Sequence, residues 1–202
     1  RDWLKWLRED KVKLDLGFQS KKRWDKIDKQ LFLYNFAQNI APSKIVVCHI
    51  ENSLAQINKK TYPDDYAYFY TLQQEGYVYV IIDGNNRDNC LLGFFEDDPK
   101  LSDPECLLPE TGKQIKGKPG KTEGYGPDNI RFKKDRTFKD LTANLYVDLQ
   151  KHLLSRPVTI CEYAVTEVTQ LGLIFDAIQR GKSLNDQERR NSWVVYDITE
   201  MI

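Results

Sequence analysis

Two short runs of β-branched and apolar residues limit the architecture more than any other feature of the chain. SKIVVCHIE at residues 43–51 and YVYVIID at 77–83 have the length and composition of strands. The apolar pattern of Val78 to Ile82, feeding straight into a polar turn, predicts an interior strand. Weaker strand signals lie in the alternating Val12, Leu14 and Leu16 and in RPVTICEYAV at 156–165. Around them, helical spacing recurs. Trp3, Leu4, Trp6 and Leu7 fit one amphipathic helix; Ile27, Leu31, Tyr34 and Ile40 fit a second, ended by Ala41-Pro42, since a residue before proline is pushed out of the helical region. Leu141, Leu145, Leu149 and Leu153 lie four apart, and EVTQLGLIFDAIQRG reads as a helix stopped at Gly181. A last helix is expected after Ser183 or Asn185 as N-cap. The polar, tyrosine-rich stretch 52–76 reads as a connector, and a helix is expected to begin after Arg87 in DNCLLGFFEDD. The order is α, β, α, β, β, α, loop, α, β, α, α: an α+β domain with a small sheet, flanking helices and a helical C-terminal half.

Composition narrows the function classes. With 41% hydrophobic and 12% aromatic residues the chain can build a sizeable core, which argues against disorder. Thirty basic residues balance thirty acidic ones, so only local clustering could favour a nucleic-acid partner. Cys48, Cys90, Cys106 and Cys161 form no Cys-x-x-Cys pair, and His49 and His152 are the only histidines, a poor basis for zinc. Cys48 and His49 are adjacent and read as ordinary strand residues pointing to opposite faces. Loose cysteine spacing in a chain of this size points to a reducing, cytoplasmic compartment. No apolar run approaches the roughly 20 residues of a membrane span, and the first eight residues do not resemble a signal peptide. The ends of the chain suggest a fragment of a longer protein.

The strand at 77–83 stops in Asp83-Gly84-Asn85-Asn86-Arg87. Two readings stay open. One is a plain surface turn, because Asx-Gly turns are common. The other is a phosphate-handling turn. Gly84 permits positive φ or a close ligand, Asn85 and Asn86 carry amide donors, and Arg87 offers a guanidinium fork that matches phosphate. A helix starting just beyond would add unpaired N–H groups, and Asp83 at the strand end could bind a metal or position a water. A second open question concerns residues 113–139, where nine basic residues face three acidic ones amid glycine and proline. That stretch is either a solvated insertion or an arm that contacts nucleic acid through Lys116, Lys118 and Lys121.

These motifs occur in a suggestive order. The strand followed by Asp-Gly-Asn-Asn-Arg resembles the Asp-Gly-Gln-Gln-Arg signature of the N-terminal domains of GmrSD- and SspE-type restriction enzymes. Upstream, QSKKRW keeps Gln19 and Trp24 at the spacing of that family's Gln-Arg-x-x-x-Trp stretch; the family's arginine is Ser20 here, with Lys21, Lys22 and Arg23 close by. Downstream, IFDAIQRGKSLNDQERRNS places Ile174, Phe175, Gly181, Leu184, Glu188, Arg190 and Asn191 in register with its Ile-Phe-x-x-Leu-Asn-x-Gly and Leu-x-x-x-Glu-Leu-Arg-Asn motifs, with Gln179 in place of an asparagine. A helix hairpin capped at Gly181 is the alternative reading of that last stretch.

The resemblance implies a ParB/sulfiredoxin-like fold, with residues 1–100 as a nucleotide-binding core, 101–137 as a basic flexible insertion, and 138–202 as a helical half completing the same domain, truncated before a C-terminal domain. It implies a nucleotide-binding and hydrolysing domain of a DNA endonuclease, of the modification-dependent restriction or phage DNA-processing type, whose HNH nuclease site lies outside this chain. Asp83 and Arg87 would be catalytic, with Asp83 placing Mg2+ or the attacking water on a nucleoside triphosphate. Gln19, Arg23, Gly84, Asn85, Asn86, Arg87 and Arg190 would hold the phosphates. DNA and nucleotide are the implied partners; no membrane partner is expected and self-association is left open. Sulfiredoxin chemistry is disfavoured, because Asn85 stands where that family's cysteine lies. The alternative is a non-catalytic ParB-like DNA-binding or nucleotide-switch module.

Overall fold

The computed structural model describes residues 2–14, 24–40, 44–112, 124–125, 129–142 and 146–179. Four strands, β1 (Val12–Lys13), β2 (Lys44–His49), β3 (Tyr79–Asp83) and β4 (Thr159–Tyr163), form one mixed sheet in the order β1-β3-β2-β4. β3 is interior, as its apolar run predicts: it pairs parallel with β1 and antiparallel with β2, setting Val47 opposite Ile81 and Cys48 opposite Val80. Ile45, Val46, Val47 and Cys48, like Tyr79, Val80, Ile81 and Ile82, are all buried. Burial on both faces explains why these strands read as continuous apolar runs rather than alternating ones.

Seven α-helices occur among the described residues: α1 (Asp2–Arg8), α2 (Lys26–Ala37), α3 (Ile50–Gln56), α4 (Pro63–Gln74), α5 (Asn85–Phe95), α6 (Val147–Leu154) and α7 (Thr169–Gln179). None is long and apolar enough to cross a membrane. The stretch expected as a connector is instead α3 and α4. Its start signals are unusual or were outweighed by its polarity. His49 caps α3, its imidazole Nδ1 accepting the Asn52 N–H at 3.3 Å. α4 opens with Pro63 in its first turn, followed by Asp64 and Asp65, which suit the positive end of a helix. Phe69 and Leu72, three apart, then bury its inner face. Of the helix expected across 137–155, the described residues form a 3-10 turn at Lys139–Thr142 and the helix α6. The final helix expected after Gly181 lies outside the described residues.

The chain gathers into two compact units, each made of three segments. Arg1–Arg8, Lys21–Ser43 and Asn86–Thr159 form one; Glu9–Ser20, Lys44–Asn85 and Ile160–Ile202 form the other. The first has an aromatic core in which Phe32, Phe36, Phe94, Phe95, Tyr125 and Phe132 pack with Leu33, Leu108, Leu141 and Leu153. Neighbouring rings meet mostly edge to face or tilted, as in the Phe36–Phe95 pair at 6.2 Å and the Phe95–Phe138 pair at 4.9 Å. The described parts of the stretch expected as a flexible insertion are anchored here. Tyr125 is fully buried and its hydroxyl donates to the Pro109 carbonyl at 2.6 Å.

The second unit contains the sheet. Val46, Cys48, Val80 and Ile82 pack with Ile50, Phe69, Val165, Leu171 and Ile174. Its buried polar hub is Ser53, whose hydroxyl donates to the His49 carbonyl and accepts the Val165 N–H, each at 3.0 Å. Burial, opposed by the Ser53 hydrogen bond, pushes the Cys48 thiol up to about 12.

Candidate functional site

Strand β3 turns into helix α5 through a single residue. Gly84 has φ +114°, a conformation that side chains rarely adopt, and a Cβ there would lie 3.3 Å from Ile45 Cα. Both the turn and the close approach to β2 therefore require glycine. The helix begins earlier than expected. Asn85, Asn86 and Arg87 belong to its first turn rather than to a loop before it. Asp88 follows, with its carboxylate near the positive end of the helix.

The boundary between the two units falls inside α5, between Asn85 and Asn86. Within the sheet unit, Gln179 Nε2 donates to Asp83 Oδ1 at 3.0 Å, and Asn85 Nδ2 donates to the Leu14 carbonyl at 3.0 Å. Within the aromatic unit, Asn86 Oδ1 accepts the Trp24 backbone N–H at 3.4 Å, and Asp88 Oδ1 accepts the Trp3 indole N–H at 2.8 Å. Trp24 also packs on Phe32, ring centroids 5.2 Å apart. Arg87 is half-buried and Asp88 fully buried.

These contacts bring some of the expected site residues into hydrogen-bonding neighbourhoods and give two of them a second task. Asp83 meets Gln179 from the downstream motif, and Asn86 meets Trp24 from the upstream one. The Asn85 amide and the Asn86 carbonyl oxygen, expected to serve phosphate, fix the turn to distant backbone. Gln19, Arg23, Arg190, Lys116, Lys118 and Lys121 lie outside the described residues. The upstream motif placed Trp24 near this strand end, whereas the Leu14 carbonyl was not foreseen, since it lies 71 residues from Asn85 in sequence.

Cys90, one turn further along α5, faces Cys106 with sulfurs 3.8 Å apart, both buried. Its hydrogen bond with Cys106, then burial, holds the Cys90 thiol far above the usual range, which keeps it protonated and a poor nucleophile. Among the described residues no group of three or more His, Cys, Asp or Glu side chains is placed to hold a metal. No protein-family model, curated protein or solved structure matches the chain.

Proposed function

We propose that the 83–87 stretch holds the phosphates of a nucleotide in a protein that acts on DNA. The observation that carries this reading is the junction itself. Gly84 passes β3 directly into α5, so Arg87 sits in the first turn of a helix whose dipole favours an anion. Asp83, at the strand end, would supply one carboxylate to Mg2+. That suits an ion which usually takes one or two protein carboxylates and completes its shell with water and substrate phosphates. In this reading the mixed sheet with its helices is a ParB/sulfiredoxin-like core. The chain is the nucleotide-binding and hydrolysing part of a DNA endonuclease, with its HNH site elsewhere.

A second reading has its own observation. Asp83, Asn85 and Asn86 all make hydrogen bonds that hold the scaffold. A turn so committed fits a ParB-like switch or DNA-binding module that binds nucleotide without hydrolysing it. Two variants separate the cases. Arg87→Ala is expected to weaken nucleoside triphosphate binding by about 1.5–3 kcal/mol, at least tenfold by calorimetric titration, with little change in melting temperature. Wild-type protein that binds no nucleotide, with or without Mg2+, defeats the phosphate-turn reading. Asp83→Asn is expected to abolish Mg2+-dependent turnover while leaving binding nearly intact; wild-type binding with no turnover selects the non-catalytic module.

A further inference from the structure

The chain's overall neutrality hides a local excess of positive charge. From Arg131 to Lys139 five cations (Arg131, Lys133, Lys134, Arg136 and Lys139) stand against one anion, Asp135. All of them belong to the aromatic unit, and Arg131, Lys133, Lys134 and Lys139 are exposed.

The backbone beneath them is firmly held. Phe132 is buried; its N–H donates to Thr111 Oγ1 at 2.7 Å and its carbonyl accepts the Thr111 N–H at 3.0 Å. Arg136 and Leu108 form an antiparallel bridge with reciprocal bonds of 2.8 and 2.9 Å. The Arg136 guanidinium lies 5.8 Å from the Phe132 ring centroid and 5.7 Å from that of Tyr146.

Of the nearby carboxylates, Asp135 bonds inward to the scaffold, while Asp140 makes a local surface bond. Asp135 accepts from the Gln30 side-chain amide at 2.7 Å and from the Glu110 N–H at 3.0 Å. Asp140 accepts the Thr137 N–H at 2.9 Å. Among the described residues none of the four exposed cations forms an ion pair. A pre-ordered row of cations, with Asp135 turned inward and Asp140 the one exposed acid beside it, still carries a net positive field to solvent.

We propose that this ridge is a docking surface for the phosphate backbone of duplex DNA, read by charge and not by sequence. The proposal rests on the reading of the chain as a DNA-acting protein but makes no use of the 83–87 turn. Four cations spread over nine residues suit a polyanion better than a single phosphate. A lipid surface is the poorer fit. Membrane-binding faces pair their lysines with exposed apolar side chains, and none of the exposed large hydrophobic residues lies within 129–142.

The test is fluorescence anisotropy with a labelled duplex on the full chain, across about 50–200 mM salt. The variant carrying Arg131→Gln, Lys133→Gln, Lys134→Gln and Lys139→Gln is expected to lose affinity at least tenfold at the lowest salt. Its plot of log affinity against log salt should be shallower by up to about 3 to 4. Lys133→Gln with Lys134→Gln is the milder variant if the fourfold one does not fold, with a loss in the same direction. Unchanged affinity and slope in a folded variant overturn the proposal. So does a loss that follows only the replacement of Lys116, Lys118 and Lys121, or tighter binding of the wild type to phosphatidylserine vesicles than to DNA. Nucleotide titration of the same variants separates the two ideas: wild type that binds DNA through the ridge but no nucleotide defeats the phosphate turn and leaves the ridge standing.

Discussion

The two units solve the same packing problem with different materials. The sheet unit relies on aliphatic strands whose ladder hydrogen bonds satisfy the backbone, so its core is mostly Val, Ile and Leu, with Phe69 and Cys48, around one buried serine hub. The aromatic unit has helices and irregular segments. It joins remote segments by side-chain ties: Lys29 to Asp103 and Glu105 at 2.8 and 2.7 Å, Trp3 to Asp88, Gln30 to Asp135, and Arg8 to Glu96. The lesson is that a sheet carries its order in the backbone, whereas a unit poor in strands must place that order in named side chains. Its stability should therefore respond more sharply to single substitutions and to pH.

The largest expected effect is on the aromatic core. Phe132→Ala should cost about 3–5 kcal/mol in denaturant unfolding, whereas Ile82→Val in the sheet should cost about 0.5–1.5 kcal/mol. Hydrogen exchange should show the first loss in α2 and α5. Wild-type protection there would break the picture of one aromatic cluster. Next comes the Trp3 tie. Trp3→Phe leaves a fully buried Asp88 without its indole donor and should destabilise by about 1–3 kcal/mol. Adding Asp88→Leu should recover part of the loss, since removing both partners relieves the buried carboxylate; no recovery would mean that packing of the indole, not its hydrogen bond, is what matters.

The smallest effect is on acid stability. Burial works to raise the Glu96 carboxyl, but Arg8 and the Asp97 and Asp98 amides outweigh it and hold it below the usual range. Asp103 behaves likewise: burial is outweighed by Lys29 and the Glu105 amide. Asp140 is lowered chiefly by the Thr137 amide. A depressed folded-state pKa stabilises above the usual carboxylate range, and that contribution is lost as pH falls through it. All three groups lie in the aromatic unit. Exchange protection there should therefore fall before that of β2 and β3 as pH drops below about 4. Simultaneous loss would remove the distinction.

The sheet was the most legible part of the fold because its information is local. β2 and β3 could be read from consecutive β-branched residues, and α7 from its apolar spacing. α4 was masked by its tyrosines and acids, although Pro63 and the two aspartates after it are start signals. α3 carried no familiar cap, since an imidazole fills that place. At the candidate site the glycine requirement was legible in Asp83-Gly84, but the early start of α5 was not. Asn85 and Asn86 take their partners from Leu14 and Trp24, contacts set by tertiary structure. The basic excess was visible from composition; that Asp135 faces inward was not.

Because each unit draws on three separated segments, neither can be completed early during synthesis. The aromatic core needs Leu149 and Leu153, and the sheet needs β4 and α7. At about 5–20 residues per second, the ribosome takes roughly 4–16 s to go from the end of β3 at Asp83 to the end of β4 at Tyr163. For that time the β2–β3 pair emerges with the β2 edge unpaired, since β4 has yet to arrive. A nascent chain of this kind is a natural client for chaperones that shield strand edges, and slowing translation just after residue 95 should lengthen that dependence.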